Sequence, residues 1–188
     1  MKMMKPIICI TGTPGVGKTS ISHRLSEELD GNLIEINKLA EEKDLFIGED
    51  PVRGYKIVDI PSLCKEIINV IDDDSFNIVE GHLSHYCKIC DLVIVLRLHP
   101  RILLQRLKQR GYDQRKVKEN VEAEALGVCA YEAYQLHDER VHEIDSTGLS
   151  LDEVLDEIIR VLKGEKPYTF GSVDFMEWFL EGGKFLND

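Results

Sequence analysis

Short apolar runs alternate along this chain with stretches in which apolar residues return every three or four positions. The runs predict strands near 6–11 (PIICIT), 33–36 (LIEI), 75–80 (SFNIVE), 91–98 (DLVIVLRL) and 141–145 (VHEID). The helical spacing predicts helices near 18–29, 60–71, 100–110, 115–136 and 151–163. Such alternation is the signature of a parallel sheet covered by helices on both sides. The segment Asp91 to Leu98 is continuously apolar in its middle, as expected of a strand buried on both faces. Helix 151–163 has the clearest boundaries. Ser150 and Glu153 form a capping box, Leu151, Val154, Leu155, Ile158, Ile159 and Leu162 form one apolar face, and Gly164 is a stop.

Two regions stand outside this rhythm. Residues 37–59 are polar, weakly periodic and punctuated by Gly48, Pro51 and Gly54, which reads as an insertion. After Gly164, the last 25 residues hold Tyr168, Phe170, Phe175, Trp178, Phe179 and Phe185, six of the thirteen aromatic residues. Within this extension, Ser172 to Gly182 reads as a short helix with Phe175, Trp178 and Phe179 on one face. The default is that this face folds back onto the chain; docking a partner is the rival reading. The expected organisation is one domain over 1–163 and an aromatic extension over 164–188.

Composition narrows the class. The 188 residues suit one domain. The formal charge of −11 argues against a chain that coats nucleic acid, and we expect no direct sequence-specific nucleic-acid binding. No apolar run approaches the length of a membrane span, so no membrane role is expected. The odd number of cysteines, five in apolar contexts, is read as buried free thiols in a reducing compartment. The expected location is the cytoplasm, or the nucleus if the source is eukaryotic.

Chemistry concentrates first at GTPGVGKTS, Gly12 to Ser20, between the first strand and the first helix. The pattern Gly-x-x-x-x-Gly-Lys-Thr is a phosphate-binding loop. Its glycines let successive backbone N–H groups turn inward around phosphate oxygens, with the helix N-terminus adding positive potential. Lys18 is expected on the β- and γ-phosphates of a nucleoside triphosphate, and the Thr19 hydroxyl on Mg²⁺. Glu80, ending the third predicted strand beside Gly81, is the candidate to hold the Mg²⁺ hydration shell or orient a water; a solvated strand-end acid is the alternative. A basic stretch follows in this acidic chain: Arg101, Arg106, Lys108, Arg110, Arg115, Lys116 and Lys118 against Asp113 alone. Arg106 and Arg110 share a helix face, so this hairpin is expected to close over a triphosphate.

Four potential zinc ligands, His82, His85, Cys87 and Cys90, fall within nine residues. Their spacing lacks the two ligand pairs of a structural zinc site, so coincidence is the preferred reading.

These segments together resemble the small adenylate kinases of archaeal and eukaryotic type, the adenylate kinase isoenzyme six family that includes the coilin-interacting nuclear ATPase. The match rests on GTPGVGKTS, Glu80-Gly-His82, Leu96-Arg97, Arg106-Leu-x-x-Arg110-Gly-Tyr112, Lys116-x-x-x-Asn120-x-x-x-Glu124 and Tyr131-Glu-Ala133, and spans roughly 6–163. The resemblance implies an adenylate-kinase-like P-loop NTPase fold with a five-stranded parallel sheet of order 2-3-1-4-5. It implies a monophosphate-binding insertion near 35–58 and a lid near 109–119. It further implies broad-specificity transfer of a phosphoryl group from ATP·Mg to a monophosphate, AMP favoured, together with ATP hydrolysis. A role in small-ribosomal-subunit rRNA maturation, through a small-subunit ribosomal protein and the pre-ribosomal particle, comes with it. Carried over by position, Gly12, Gly15, Gly17, Lys18, Thr19, Ser20, Arg106 and Arg110 contact ATP, and His82 serves ATP turnover. Two departures stand out. Glu80 occupies a position where the family usually has Asp, and Glu41 one where relatives have an arginine. A carboxylate does not hold a monophosphate, so either Arg53 or Lys56 substitutes or the kinase activity is weak. Arg97 is read as a second clamp on phosphate or, equally, as a strand-end ion pair.

Overall fold

Ten of the seventeen elements in the computed structural model, which describes residues 5–182, build one parallel sheet and the five helices that cover it. In chain order the strands and helices are β1 (Ile7–Thr11), α1 (Lys18–Leu29), β2 (Asn32–Glu35), α2 (Ile36–Glu42), β3 (Phe46–Glu49), β4 (Lys56–Val58), α3 (Ile60–Val70) and β5 (Asn77–Glu80). There follow β6 (Leu92–Arg97), α4 (Pro100–Gln109), α5 (Gln114–Ala125), α6 (Val128–His137), β7 (Val141–Asp145), α7 (Leu151–Leu162) and α8 (Met176–Gly182), with two single 3₁₀ turns between them. The five-stranded sheet runs β2-β5-β1-β6-β7, which is the expected 2-3-1-4-5 order. Register places Ile10 beside Glu80 and Thr11 beside Val95, so the carboxyl ends of β1, β5 and β6 meet along one edge. In open α/β sheets that edge is where ligands bind.

Alternation along each strand divides the core into two layers. On one side Ile8, Ile10, Ile78, Ile94 and Leu96 pack with Ile21 and Leu25 of α1, Leu103 and Leu107 of α4, and Ile158 of α7. On the other, Cys9, Ile34, Val79, Val93 and Val95 pack with Leu63 and Ile67 of α3 and Ala130 and Ala133 of α6. The capping box of Ser150 and Glu153 starts α7 as the sequence predicts. No helix among the described residues is long and apolar enough to cross a membrane.

Two sequence expectations need correction. The single helix predicted over 115–136 is two, broken at Gly127. Gly127 adopts a left-handed φ of 65°, and a Cβ there would press 3.4 Å from the Arg97 guanidinium. The insertion, to which the sequence assigned no elements, contains α2 and the antiparallel β3–β4 hairpin. The cysteines are not all free thiols. Cys9 is paired with Cys90 and Cys64 with Cys87, with Cα separations of 5.9 and 5.3 Å. Those pairs join residues 81 and 23 positions apart, a proximity made by the sheet and α3 rather than by local spacing. Cys129 alone is free, and burial pushes its thiol up to about 11.

The extension folds back. Glu143 N–H donates to Thr169 O at 2.9 Å, Gly171 N–H donates to the Glu143 carboxylate, and Val173 O accepts from Arg97. Phe175 is buried over the Arg97 guanidinium, 5.3 Å from it, and Trp178 packs against the core. Phe185 lies outside the described residues.

Candidate active site

The chain leaves β1 at Thr11 and must turn under β6 before entering α1. Gly12 makes that turn at φ 136°, where a Cβ would lie 2.5 Å from Leu96 O, so only glycine passes. Lys18, first residue of α1, is buried and its ammonium donates to Thr13 O at 3.1 Å, lying back across the loop. The neighbouring Thr19 hydroxyl donates to Glu80 Oε1 at 3.4 Å.

Lys18 and Glu80 are both charges held away from water. Burial pulls the Lys18 ammonium below its ordinary value against the support of Glu80, and burial pushes the Glu80 carboxyl up against the pull of Lys18. His82 is lowered to about 4, by burial first and then by the positive charges of Lys18, His85 and Lys116. At neutral pH its imidazole is uncharged.

Two cavities flank the loop. The first, about 540 Å³, is lined by Val16, Gly17, Ser20, Arg106, Arg110 and Leu149, among others. Arg106 also reaches Gly15 O and Val16 O at 3.5 and 3.4 Å, and Arg110 ends α4. The second, about 690 Å³, is lined by Pro14, Glu41, Lys56, His82, Tyr112 and Lys116, with the β3–β4 hairpin as its outer wall. The hairpin tip is tied to α5. Arg53 Nε donates to Glu119 at 3.0 Å, and Arg115 donates to Val52 O at 3.1 Å.

Behind the loop lies a buried ionic centre. Glu124 of α5 accepts from the Thr13 hydroxyl at 2.5 Å, from Arg97 Nε at 2.9 Å and from Leu98 N–H at 3.0 Å. Arg97 also donates to Glu143 at 2.6 Å. This commits Arg97 to the ion-pair reading: its guanidinium is engaged by carboxylates inside the protein and is not a phosphate clamp.

A family model described as an AAA domain covers residues 8–127. "Putative adenylate kinase" of Methanothermobacter thermautotrophicus is 48% identical over 93% of this chain and 99% of its own length. "Putative adenylate kinase" of Methanocaldococcus jannaschii is 37% identical over 93% and 95%. The chain belongs to their family. Among solved structures, a shikimate kinase from Acinetobacter baumannii with shikimate bound superposes with a TM-score of 0.63 at 14% identity, over 87% of this chain and 96% of that one. A thymidylate kinase from Candida albicans does so with 0.53 at 16%, over 90% and 99%. At such identities these two show the fold alone, that of a P-loop kinase.

In this family member the predicted site residues fall into three groups. Gly17, Ser20, Arg106 and Arg110 gather at the first cavity, and His82 lines the second. Lys18, Thr19 and Glu80 lie at the ends of α1 and β5. A hydroxyl beside a carboxylate is an all-oxygen donor set, which fits Mg²⁺; the ion usually takes one or two protein oxygens and completes its shell with phosphate and water. No cluster of three or more His, Cys, Asp or Glu suited to a metal occurs among the described residues. The suspected zinc ligands are engaged elsewhere: Cys87 and Cys90 in the cysteine pairs, His85 with Thr11 and Glu132.

Sequence reasoning missed the part played by Glu124. The available signal was the four-residue spacing of Lys116, Asn120 and Glu124, which puts all three on one face of α5. It also missed the tie between the insertion tip and that helix.

Proposed function

We propose that this chain is a nucleoside monophosphate kinase that moves the γ-phosphoryl group of ATP onto a phosphate oxygen of AMP, yielding two ADP. The observation that carries the reading is a single P-loop with a cavity on each side, one lined by Gly17 and Ser20 and the other by Pro14, which leaves room for a donor and an acceptor nucleotide. Relatives named as adenylate kinases over nearly their whole length support the same reading.

In this mechanism the backbone of Gly12, Gly15 and Gly17 cradles the phosphates and Ser20 flanks them. Lys18 carries positive charge to the transferred group, and Arg106 and Arg110 offset the charge spread over its oxygens. Thr19 and Glu80 would hold Mg²⁺, which when bound neutralises the β- and γ-phosphates. His82, neutral at working pH, donates or accepts a hydrogen bond and does not act as a charged acid. Phosphoryl transfer needs little covalent help, so alignment of the two nucleotides is most of the catalysis.

ATP hydrolysis coupled to a basic small-subunit ribosomal protein is the second reading. The charge of −11 favours it, because opposite charge speeds encounter. One assay separates the two: ADP formation from ATP and Mg²⁺, alone and with AMP, CMP, GMP or UMP. Strong stimulation by AMP is expected, and Lys18→Ala should lower the stimulated rate about 10²- to 10³-fold without loss of folding. Indifference to every monophosphate overturns the kinase reading and leaves the hydrolytic one.

A further inference from the structure

Glu41 lines the proposed acceptor cavity, and its carboxylate gives the phosphate of a monophosphate no anchor. The cations near that cavity differ in how they are engaged. Arg53 is committed to Glu119 and Asp50, at 3.0 and 3.4 Å. Lys56 is exposed and lies over the Phe46 ring at 4.6 Å. Lys116 is half-buried and forms no ion pair with a carboxylate among the described residues. Its ammonium is instead held between two aromatic rings, 4.4 Å from the centre of Tyr112 in the turn after α4 and 5.0 Å from that of Tyr55 beside the hairpin tip. Aromatic faces steady an ammonium without neutralising it. The Arg53–Glu119 and Arg115–Val52 contacts fix the tip from which Tyr55 projects.

We propose that Lys116 is the residue that binds the phosphate of the acceptor monophosphate. The assignment rests on the kinase reading and deepens it. Lys116 lines this cavity together with Pro14 of the P-loop and His82. An acceptor phosphate has to lie beside the γ-phosphate, and so at the P-loop end of that cavity. Glu41 on the same cavity repels the phosphate and leaves that part of the cavity to the nucleoside.

The test compares wild type, Lys116→Gln, Lys116→Arg and Lys118→Gln. ADP formation is followed at saturating ATP with AMP varied, and AMP is titrated calorimetrically into each protein. Lys116→Gln is expected to raise both KM and Kd for AMP about 10- to 100-fold, as for loss of a charge-assisted phosphate contact, with KM for ATP within about twofold. Lys116→Arg should recover part of that loss. Lys118 faces solvent and pairs with Glu122, so Lys118→Gln should match wild type. A Kd for AMP within about twofold of wild type in Lys116→Gln overturns the assignment. A parallel rise in KM for ATP also overturns it, since that marks a side chain that merely supports the fold. Wild type that neither binds nor phosphorylates any monophosphate removes the kinase reading itself, a result distinct from failure of Lys116 alone.

Discussion

On the inner side of the P-loop, Arg97 and Glu124 meet at 2.9 Å with side chains 3% and 1% exposed. At the rim of the acceptor cavity, Arg53 and Glu119 meet at 3.0 Å with side chains 47% and 35% exposed. The distances are nearly equal and the consequences are not. A buried pair stripped of one partner leaves an uncompensated charge in a poor solvent for it, so the inner contact is close to permanent. An exposed pair trades with water and salt at little cost, so the outer contact can open and close. The P-loop is therefore braced from behind, while the wall of the second cavity, the proposed acceptor site, is fastened by a contact weak enough to release. A kinase has to admit and discharge its acceptor at every turnover, and this distribution of strength suits that cycle.

Removing Glu124 tests the braced side most severely. Glu124→Ala deprives Arg97, the Thr13 hydroxyl and the Leu98 N–H of their shared acceptor. We expect a loss of about 3 kcal/mol or more in unfolding free energy, read from urea titration as a lowered midpoint at an unchanged slope. Glu124→Gln keeps an acceptor oxygen without the charge and should fall between wild type and alanine. If the alanine variant matched wild type, the inner pair would have no more weight than the outer one and the contrast would vanish.

Acid sharpens the same contrast from His82, which lies between the two sides. Its folded value of about 4 lies below the ordinary 6.5, so between those limits the unfolded chain binds the extra proton. Stability then falls as pH drops from 6.5 towards 4, by at most about 3 kcal/mol from this group. Burial shifts His85, His137 and His142 in the same direction, so they add to the trend. Thermal melts from pH 7 to 4.5 should show the decline, and His82→Asn should remove part of it. An identical pH profile in the variant would mean that His82 is hydrated and titrates as it does in the unfolded chain.

The two sides also differed in how far the sequence revealed them. The loop was legible because its geometry demands glycine at fixed intervals; Gly12 beside Leu96 O leaves no alternative. The sheet was legible because strands buried on both faces read as apolar runs, as Leu92 to Leu96 do. The brace was not, since Glu124 finds Thr13 across 111 residues, and the spacing of Lys116, Asn120 and Glu124 marks a helix face without naming its partner. The β3–β4 hairpin left no alternation to follow because Ile47 and Ile57 face solvent at 69% and 43% exposure. Gly127 was passed over because apolar spacing continues on both sides of it, and the reason for glycine there is a distant guanidinium.

The smallest expected effect belongs to the outer contact and bears most directly on its proposed use. Arg53→Ala leaves Glu119 only its looser pair with Arg115 and loosens the hairpin tip, while Arg115 still reaches Val52 O. Because both partners already face water, the melting temperature should move by less than about 3 °C. The expected cost appears in acceptor binding: a rise of about two- to fivefold in KM for AMP, with KM for ATP unmoved, because Tyr55 is less firmly held against Lys116. Raising salt from about 0.05 to 0.5 M should narrow the gap between variant and wild type, since the pair is screened in both. A drop of about 10 °C or more on Arg53→Ala would show that the tip is part of the folded core. Both sides of the loop would then be braced alike, and release of the acceptor would have to come from the turn at Gly111 instead.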